Sequence, residues 1–177
     1  MTLLSTDLEQ GIAGSLVTLR RFTENNLTED YLDWLRDSKL MKFSNQRFRK
    51  HTMESCLAYL DSFVGSDNSF IAIYYEREFI GTMTAYCSSF HGTCDIGLLI
   101  GSTVQGKGLG KDAWGTLMAH LLATGTRKIT GGALRGNKAM VRIMQSCGMQ
   151  PDGVRAKQEL IDGIPQDILY FAKFGES

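Results

Sequence analysis

Hydrophobic positions recur along the chain with two periods, and these periods predict its secondary structure. Alternating or continuous apolar runs are typical of strands, whereas apolar residues three and four positions apart indicate one face of a helix. Seven segments have the strand pattern: 16–22, 70–75, 79–86, 96–100, 128–134, 154–161 and 164–174. Four segments have the helical pattern, and they follow Thr28, Thr52, Gly110 and Asn137. This order predicts a mixed α/β domain, with about seven mostly antiparallel strands, four flanking helices and one crossover.

Local residue types mark where several of these elements begin and end. Thr28, Thr52 and Asn137 have side chains that favour the N-cap of a helix. Gly148 is placed to end the last helix in a left-handed conformation. The pair Asp162-Gly163 predicts a two-residue hairpin turn between the last two strands.

A glycine-rich loop at residues 105–111 joins the strand 96–100 to the third helix. The free N–H groups of a first helical turn point outward and carry the equivalent of about half a positive charge. Glycines allow the backbone to approach a phosphate without an intervening side chain. The loop therefore predicts a site for a pyrophosphate.

Two common phosphate-binding motifs do not fit this loop. A Walker loop would need glycine at Gln105 and a hydroxyl at Asp112, and a dinucleotide fingerprint would need its third glycine at Lys111. The pattern that fits is Q-x-x-G-x-G, formed by Gln105, Gly108 and Gly110.

Composition excludes several other classes of function. Lys plus Arg and Asp plus Glu both number 19, so the chain has no basic bias toward nucleic acid or an anionic membrane. Residues 1–14 lack the features of a signal peptide and are expected to form a loose lead-in, and residues 15–177 are expected to form one domain. No apolar run is long enough to span a membrane. The 4 cysteines are scattered without metal-ligand spacing, which favours reduced thiols, a cytoplasmic location and no bound metal.

With these elements in place, the chain resembles the GNAT superfamily of acetyl-coenzyme A dependent N-acetyltransferases over about residues 15–174. The Q-x-x-G-x-G loop resembles motif A of that family, which holds the pyrophosphate of the coenzyme. The segment 137–149, opened by Asn137 and closed by Gly148-Met149, resembles motif B. The segments 31–37 and 45–48 are similar to the branch of ribosomal-protein N-terminal acetyltransferases and still more to relatives that acetylate nucleotide-linked amino sugars.

The resemblance implies the GNAT fold, acetyl-coenzyme A as co-substrate and a coenzyme site around motif A. Backbone groups of the strand would pair with the pantetheine arm, and an N–H near Leu99 would polarise the thioester carbonyl. Gly97 and Gly101 are expected to mark a bulge that opens the cleft. The predicted coenzyme-binding residues are Leu98, Leu99, Ile100, Gln105, Gly106, Lys107, Gly108, Leu109, Gly110, Lys111 and Asn137.

The acceptor amine must lose a proton before it attacks, so a base is expected near the thioester. Asp95 is the first candidate, because several family members place a catalytic Glu near the start of this strand. His91 is the second candidate, in a loop near the same edge. Ordinary surface roles remain open for both. The family's usual acid positions carry Met144 and Met140, which cannot donate a proton, so the acid is not assigned.

In this fold, the connection between the first two helices forms part of the acceptor site. Here it carries Phe43, Arg47, Phe48 and Arg49, and cations beside aromatic rings suit an anionic ligand with a stackable ring. A small-molecule amine such as a nucleotide-linked amino sugar is therefore the expected acceptor, for a monomer or homodimer. Protein N-terminal acetylation and a non-catalytic acetyl-coenzyme A sensor or partner-binding module remain as alternatives.

Overall fold

The computed structural model describes residues 3–175, which form an eight-stranded sheet with five α-helices on its two faces. The strands are β1 (Ile12–Ala13), β2 (Val17–Arg21), β3 (Ser69–Tyr75), β4 (Glu78–Ser88), β5 (Thr93–Ile100), β6 (Lys128–Leu134), β7 (Gln150–Ile161) and β8 (Ile164–Phe174). The helices are α1 (Leu3–Gln10), α2 (Glu29–Arg36), α3 (Met53–Asp61), α4 (Leu109–Ala123) and α5 (Lys138–Ser146). The spatial order of the strands is β1-β2-β3-β4-β5-β6-β8-β7, and only β5 and β6 are parallel. The predicted mixed, mostly antiparallel α/β architecture is confirmed.

The predicted caps form because each side chain satisfies an N–H group that has no partner within its helix. Thr28 accepts from the Tyr31 N–H, Thr52 from the Ser55 N–H and Asn137 from the Met140 N–H. After α5, Gly148 takes the left-handed conformation with φ of 75°. Asp162 and Gly163 also have positive φ, which gives the tight turn between β7 and β8.

The lead-in differs from its prediction, because its described residues are ordered and packed. Leu4 and Leu8 of α1 are buried in the core beneath the sheet, and β1 pairs with β2. Leu4 and Leu8 are four positions apart, so one helical face brings both to the sheet. Residues 1 and 2 of the predicted lead-in lie outside the described residues.

Each face of the sheet has its own apolar cluster. Helices α1, α4 and α5 cover one face, where Trp114 is 1% exposed, and α2 and α3 cover the other around Phe22 and Phe70. A Cβ atom at Gly131 would lie 2.7 Å from the Trp114 ring. The glycine in β6 therefore makes room for the indole of α4.

The prediction of reduced thiols is wrong for Cys87 and Cys94, which form a disulfide. They lie directly opposite each other on β4 and β5, because the turn between these strands sets their register. Cys56 and Cys147 are free. The cysteines therefore give no argument for a reducing compartment. No helix within residues 3–175 is long and apolar enough to cross a bilayer.

Candidate active site where two strands separate

The central feature of the site is a cleft between β5 and β6. The two strands pair only over residues 93–95 and 128–130, where Asp95 lies opposite Thr130. Beyond this point β6 continues to pair with β8 and β5 continues to pair with β4, so the two parallel strands diverge. The structure thus leaves one edge of β5 without a strand partner, on the segment that the sequence predicted to bind the coenzyme.

The hydrogen-bond pattern determines which backbone groups face this cleft. In an antiparallel ladder, successive residues direct their N–H and C=O groups alternately to opposite sides. The Gly101 N–H donates to the Ile80 carbonyl at 2.8 Å, so Leu99, two positions earlier, also bonds toward β4. Leu98 and Ile100 therefore direct their backbone groups into the cleft.

This pattern refines one detail of the sequence prediction and corrects another. The N–H groups near Leu99 that face the cleft belong to Leu98 and Ile100, while the backbone of Leu99 bonds toward β4. The register between β4 and β5 runs without a bulge. Gly97 and Gly101 instead allow close packing, since a Cβ atom would lie 2.7 Å from the Thr84 hydroxyl or the Trp34 ring, respectively.

The glycine loop has a backbone suited to an anion. Gly106 and Gly108 have φ of 81° and 79°, in the left-handed region, and a Cβ atom at either would meet no atom within 4 Å. Gly108 is the N-cap of α4, so the free N–H groups of the first turn begin there. A Cβ atom at Gly110 would lie 3.3 Å from side-chain atoms of Leu98 and Ile143. That glycine brings the start of α4 close to β5 and α5.

The side chains around the loop have different roles. Gln105 donates its amide N–H to the Ile100 carbonyl at 3.2 Å, which fixes the loop against the end of β5. Leu109 is 2% exposed and packs in the core, so only its N–H could face a ligand. Lys107 and Lys111 are exposed. Asn137 lines the cavity at the N-terminus of α5, where its side-chain oxygen accepts from the Met140 N–H.

A cavity of about 520 Å³ runs through the cleft and opens on the face covered by α2 and α3. The residues lining it include Phe43, Arg49, Lys50, Tyr59, Thr82, Thr84, Tyr86, Gly97, Leu98, Leu99, Gly132, Asn137 and Met140. The cavity therefore connects the free edge of β5 with the predicted acceptor region. This arrangement can bring an amine to a thioester held along β5.

Asp95 lies at the closed end of the cleft, inside the β5 ladder rather than at its entrance, because β5 begins at Thr93. Its carboxylate accepts a hydrogen bond of 2.6 Å from the Thr130 hydroxyl. Surrounding protein raises the pKa of the Asp95 carboxyl above its usual range, and the Thr130 bond partly opposes that shift. Asp95 shares a face of the sheet with Gly97 and Leu99, although it does not itself line the cavity.

His91 is not brought to the cavity. It lies exposed in the turn between β4 and β5, where its carbonyl accepts a hydrogen bond of 3.3 Å from the Arg127 guanidinium. This turn lies beyond the paired region of β5 and β6, at the end that is farther from the cleft. Of the two predicted bases, only Asp95 therefore lies next to the site.

The four predicted acceptor residues separate into two pairs. Phe43 and Arg49 line the cavity, whereas Arg47 and Phe48 line only a neighbouring cavity of about 750 Å³, which Arg49 also borders. Arg47 donates to the carbonyls of Ser44 at 2.8 Å and Leu160 at 3.2 Å, and its guanidinium lies 4.2 Å from the centre of the Phe48 ring. Arg47 therefore ties the connection to the β7–β8 hairpin.

Two tyrosines line the cavity, and the sequence alone assigned no role to either. The hydroxyl groups of Tyr59 on α3 and Tyr86 on β4 lie 2.7 Å apart. Twenty-seven positions separate them, so only the packing of α3 over the sheet brings them together. The positions expected to hold an acid offer no replacement, because Met144 is buried in the core and Met140 lines the cavity with an apolar side chain.

Comparison with known proteins agrees with this geometry. The family model of the acetyltransferase (GNAT) domain matches residues 17–150, well over half of the chain. No curated protein sequence matches the chain significantly.

Solved structures share the fold at low sequence identity. The ribosomal L7/L12 α-N-protein acetyltransferase RimL, in complex with coenzyme A, is 16% identical with a TM-score of 0.82, over 93% of this chain and 98% of that one. The microcin C7 self-immunity acetyltransferase MccE, in complex with acetyl-CoA and AMP, is 18% identical with a TM-score of 0.78, over 90% and 93% of the two chains. A spermidine N-acetyltransferase from Vibrio cholerae, in complex with CoA and spermine, is 16% identical with a TM-score of 0.80, over 90% and 96%. Because the family model and the fold agree, the chain belongs to the GNAT family of acetyltransferases.

Proposed function

We propose that this acetyltransferase transfers the acetyl group of acetyl-coenzyme A to the primary amine of a small anionic acceptor, such as a nucleotide-linked amino sugar. The observation that carries the choice of acceptor is a pair of unpaired cations, Arg49 and Lys50, on the wall of the cavity. Within residues 3–175, neither side chain makes an ion pair or a hydrogen bond. An anionic group could therefore bind both without displacing an existing partner.

The coenzyme fits the other end of the cleft. Its pyrophosphate would bind the N–H groups of the loop around Gly108, and its pantetheine arm would pair with the cleft-facing backbone of Leu98 and Ile100 as an added strand. The thioester then lies between β5 and β6, next to the cavity. Asn137 contributes its amide from the opposite wall.

The reaction proceeds by direct attack in a ternary complex. Asp95 takes a proton from the acceptor ammonium, either directly or through water, and the free amine attacks the thioester carbonyl. The Leu98 N–H stabilises the negative oxygen of the tetrahedral intermediate. The nitrogen of the intermediate then loses its second proton to solvent, and the intermediate collapses to the amide and expels the coenzyme A thiolate. The thiolate takes a proton from solvent, since Met140 and Met144 at the motif B acid positions cannot supply one.

The position of the cations relative to the cleft sets the expected acceptor size. Arg49 and Lys50 lie on the connection before α3, and they line the same cavity as Leu98 on the free edge of β5. Because these residues belong to different elements of the cavity wall, we expect an acceptor that carries its anionic group apart from its amine. Phe43, whose ring lies against Gly136 just before α5, adds an apolar surface to the same cavity.

The test is release of coenzyme A thiol from acetyl-coenzyme A with three acceptor sets: UDP-glucosamine with other nucleotide-linked amino sugars, the corresponding free amino sugars, and pooled N-terminal peptides. We expect turnover with the nucleotide-linked set and a KM at least tenfold higher for the free sugars, since an interaction of about 1.4 kcal/mol corresponds to tenfold in affinity. The KM for the nucleotide-linked set should rise with ionic strength.

Variants separate the cations of the cavity from general charge effects. Arg49→Gln should raise the KM for nucleotide-linked acceptors and leave that for acetyl-coenzyme A unchanged. Arg20→Gln, on the exposed surface of β2, is the matched control and should change neither. Turnover only with peptides would overturn the anionic acceptor and favour N-terminal acetylation. Stoichiometric coenzyme binding without turnover of any amine would favour a non-catalytic sensor.

A further inference from the structure

The hydroxyl pair formed by Tyr59 and Tyr86 has no structural task that requires its polarity. The two rings already pack well, with Tyr59 edge-on to Phe63 and Phe70 at centroid distances of 5.1 and 5.3 Å, and Tyr86 5.9 Å from Phe63. Phenylalanine at either position would keep these ring contacts. The hydroxyl groups nevertheless meet at 2.7 Å on the wall of the cavity.

The location of the pair places it beside the reacting groups. On β4, Tyr86 lies directly opposite Asp95 of β5, and Thr84 lies opposite Gly97. Residues two apart in a strand share a face of the sheet, so Tyr86 and Thr84 face the same side as Asp95 and Gly97. The pair therefore lies beside the candidate base, on the face of the sheet that lines the cavity.

The Tyr86 oxygen can accept a further hydrogen bond from the cavity. Burial, followed by the hydrogen bond with Tyr86, raises the pKa of Tyr59 above its usual value, and the charge of Arg49 opposes this only in part, so Tyr59 stays protonated. Either hydroxyl can donate within the pair. In both orientations the Tyr86 oxygen keeps a free lone pair, and Tyr86 is 44% exposed, so that lone pair is accessible from the cavity.

We propose that the Tyr59–Tyr86 hydroxyl pair binds the acceptor's amine, with the Tyr86 oxygen accepting one N–H and so holding the nitrogen between Asp95 and the thioester. No proton is transferred by the phenols: the proton lost from the ammonium goes to Asp95, and the nitrogen lone pair is then free to attack. Tyr86 touches the substrate, and Tyr59 acts through Tyr86 by orienting its hydroxyl. The inference rests on the proposed function and identifies the amine end of that same site.

The kinetic test uses Tyr86→Phe, Tyr59→Phe, the double variant and the control Tyr75→Phe, whose side chain lies on the opposite face of the sheet. With UDP-glucosamine as acceptor, Tyr86→Phe should raise the acceptor KM about tenfold, equivalent to about 1.4 kcal/mol, and leave the KM for acetyl-coenzyme A unchanged. Tyr59→Phe should have a smaller effect, and the double variant should match Tyr86→Phe because both remove one interaction. Equal losses for both substrates, or no change with Tyr86→Phe, would overturn the proposal.

A binding measurement keeps the inference testable if no turnover is found. The protein has 6 tyrosines, so ring-labelled tyrosine gives few NMR signals, and Tyr→Phe variants assign them. In the presence of coenzyme A, UDP-glucosamine should shift the Tyr59 and Tyr86 signals, whereas UDP-N-acetylglucosamine, which lacks the free amine, should shift them much less. Equal shifts with both ligands, or none with either, would reject the amine site. If the wild-type protein shows no turnover but its tyrosine signals shift only with the free amine, the proposed function is rejected and the amine site is kept.

Discussion

Thr130 donates a hydrogen bond of 2.6 Å from its hydroxyl to the Asp95 carboxylate. These two residues form the last pair between β5 and β6 before the strands separate. The bond thus lies at the closed end of the cleft. It fixes one carboxylate oxygen, while the other oxygen has no hydrogen bond among the described residues. A base in this position is held in place yet keeps an oxygen for a proton.

Replacing Asp95 by Asn should lower turnover by about 100-fold or more, because the amide cannot accept the proton. The affinity for acetyl-coenzyme A should not change, since the coenzyme binds along Leu98 and the loop. The burial that raises the pKa of Asp95 makes its ionised form unfavourable to the fold, so stability from this group is present at low pH and lost as pH rises through the folded pKa. At neutral pH, Asp95→Asn should therefore not lower Tm. Steady-state kinetics measures turnover, calorimetry measures the affinity for acetyl-coenzyme A, and thermal unfolding measures Tm. Unchanged turnover would exclude Asp95 as the base.

Replacing Thr130 by Val should shift the pH dependence of kcat/KM. The Thr130 hydrogen bond stabilises the carboxylate and lowers the pKa of Asp95, so its loss should raise that pKa further. The acidic limb of the pH–rate profile should then move to higher pH, with the rate at alkaline pH largely kept. Thr18→Val on β2 is the matched control and should leave the limb in place. Equal loss at every pH would instead mean that Thr130 matters only for packing.

Replacing Gly108 by Ala should weaken coenzyme binding by more than its effect on stability explains. Its φ of 79° costs a residue with a side chain about 1–2 kcal/mol. Gly125 at the other end of α4 has φ of 96° and also has open space around it, so Gly125→Ala should have a similar effect on Tm. Only Gly108→Ala puts a methyl group where the pyrophosphate is expected, and we expect its Kd for coenzyme A to rise about tenfold. Equal Kd values for both variants, measured by titration calorimetry, would contradict the prediction that this loop binds the pyrophosphate.

Local chemistry explains why much of the fold and the coenzyme region could be predicted. Caps such as Thr52 and Asn137, and left-handed glycines such as Gly108 and Gly148, depend on the residue itself and its near neighbours in sequence. The periodic hydrophobic segments on either side of these residues predicted the order of the elements. The helix α1 could also have been found, because Leu4 and Leu8 have helical spacing.

Features that depend on tertiary packing could not be predicted from the sequence. The cleft arises because β6 pairs with β8, more than thirty positions later in the chain, rather than continuing along β5. The Tyr59–Tyr86 contact depends on how α3 lies across the sheet. Arg49 reaches the first cavity, whereas Arg47 lines only the second. Pattern alone places such residues on an element, and the contacts between elements decide whether they reach the site.

Thiol counting tests the Cys87–Cys94 disulfide. Denatured protein that has not been reduced should show two reactive thiols, from Cys56 and Cys147, and prior reduction should raise the count to 4. Cys87→Ser should show three thiols without reduction, since Cys94 loses its partner. Cys147→Ser, the control, should show one. Four thiols before reduction would contradict the disulfide.

Asp112, in the first turn of α4, binds the segment that leads into β2 by hydrogen bonds. Its carboxylate accepts three backbone N–H bonds, from Ser15 at 3.2 Å, Leu16 at 2.8 Å and Val17 at 3.0 Å. In Asp112→Asn, the amide NH₂ faces these donors and at least one N–H loses its acceptor, which should cost about 1–3 kcal/mol. For a chain of this length, that corresponds to a fall in Tm of about 5 °C.

The control for Asp112 is Asp30→Asn, in the first turn of α2. Both carboxylates interact favourably with a helix N-terminus, an effect of about 0.3–1 kcal/mol at an exposed site. Only Asp112 also holds a distant backbone segment, so its variant should lose clearly more stability in chemical denaturation. It should also speed hydrogen exchange at Ser15, Leu16 and Val17, because their N–H groups lose a fixed acceptor. If the two variants lose the same stability and exchange at 15–17 is unchanged, the charge at the helix end, and not the three hydrogen bonds, accounts for the contribution of Asp112.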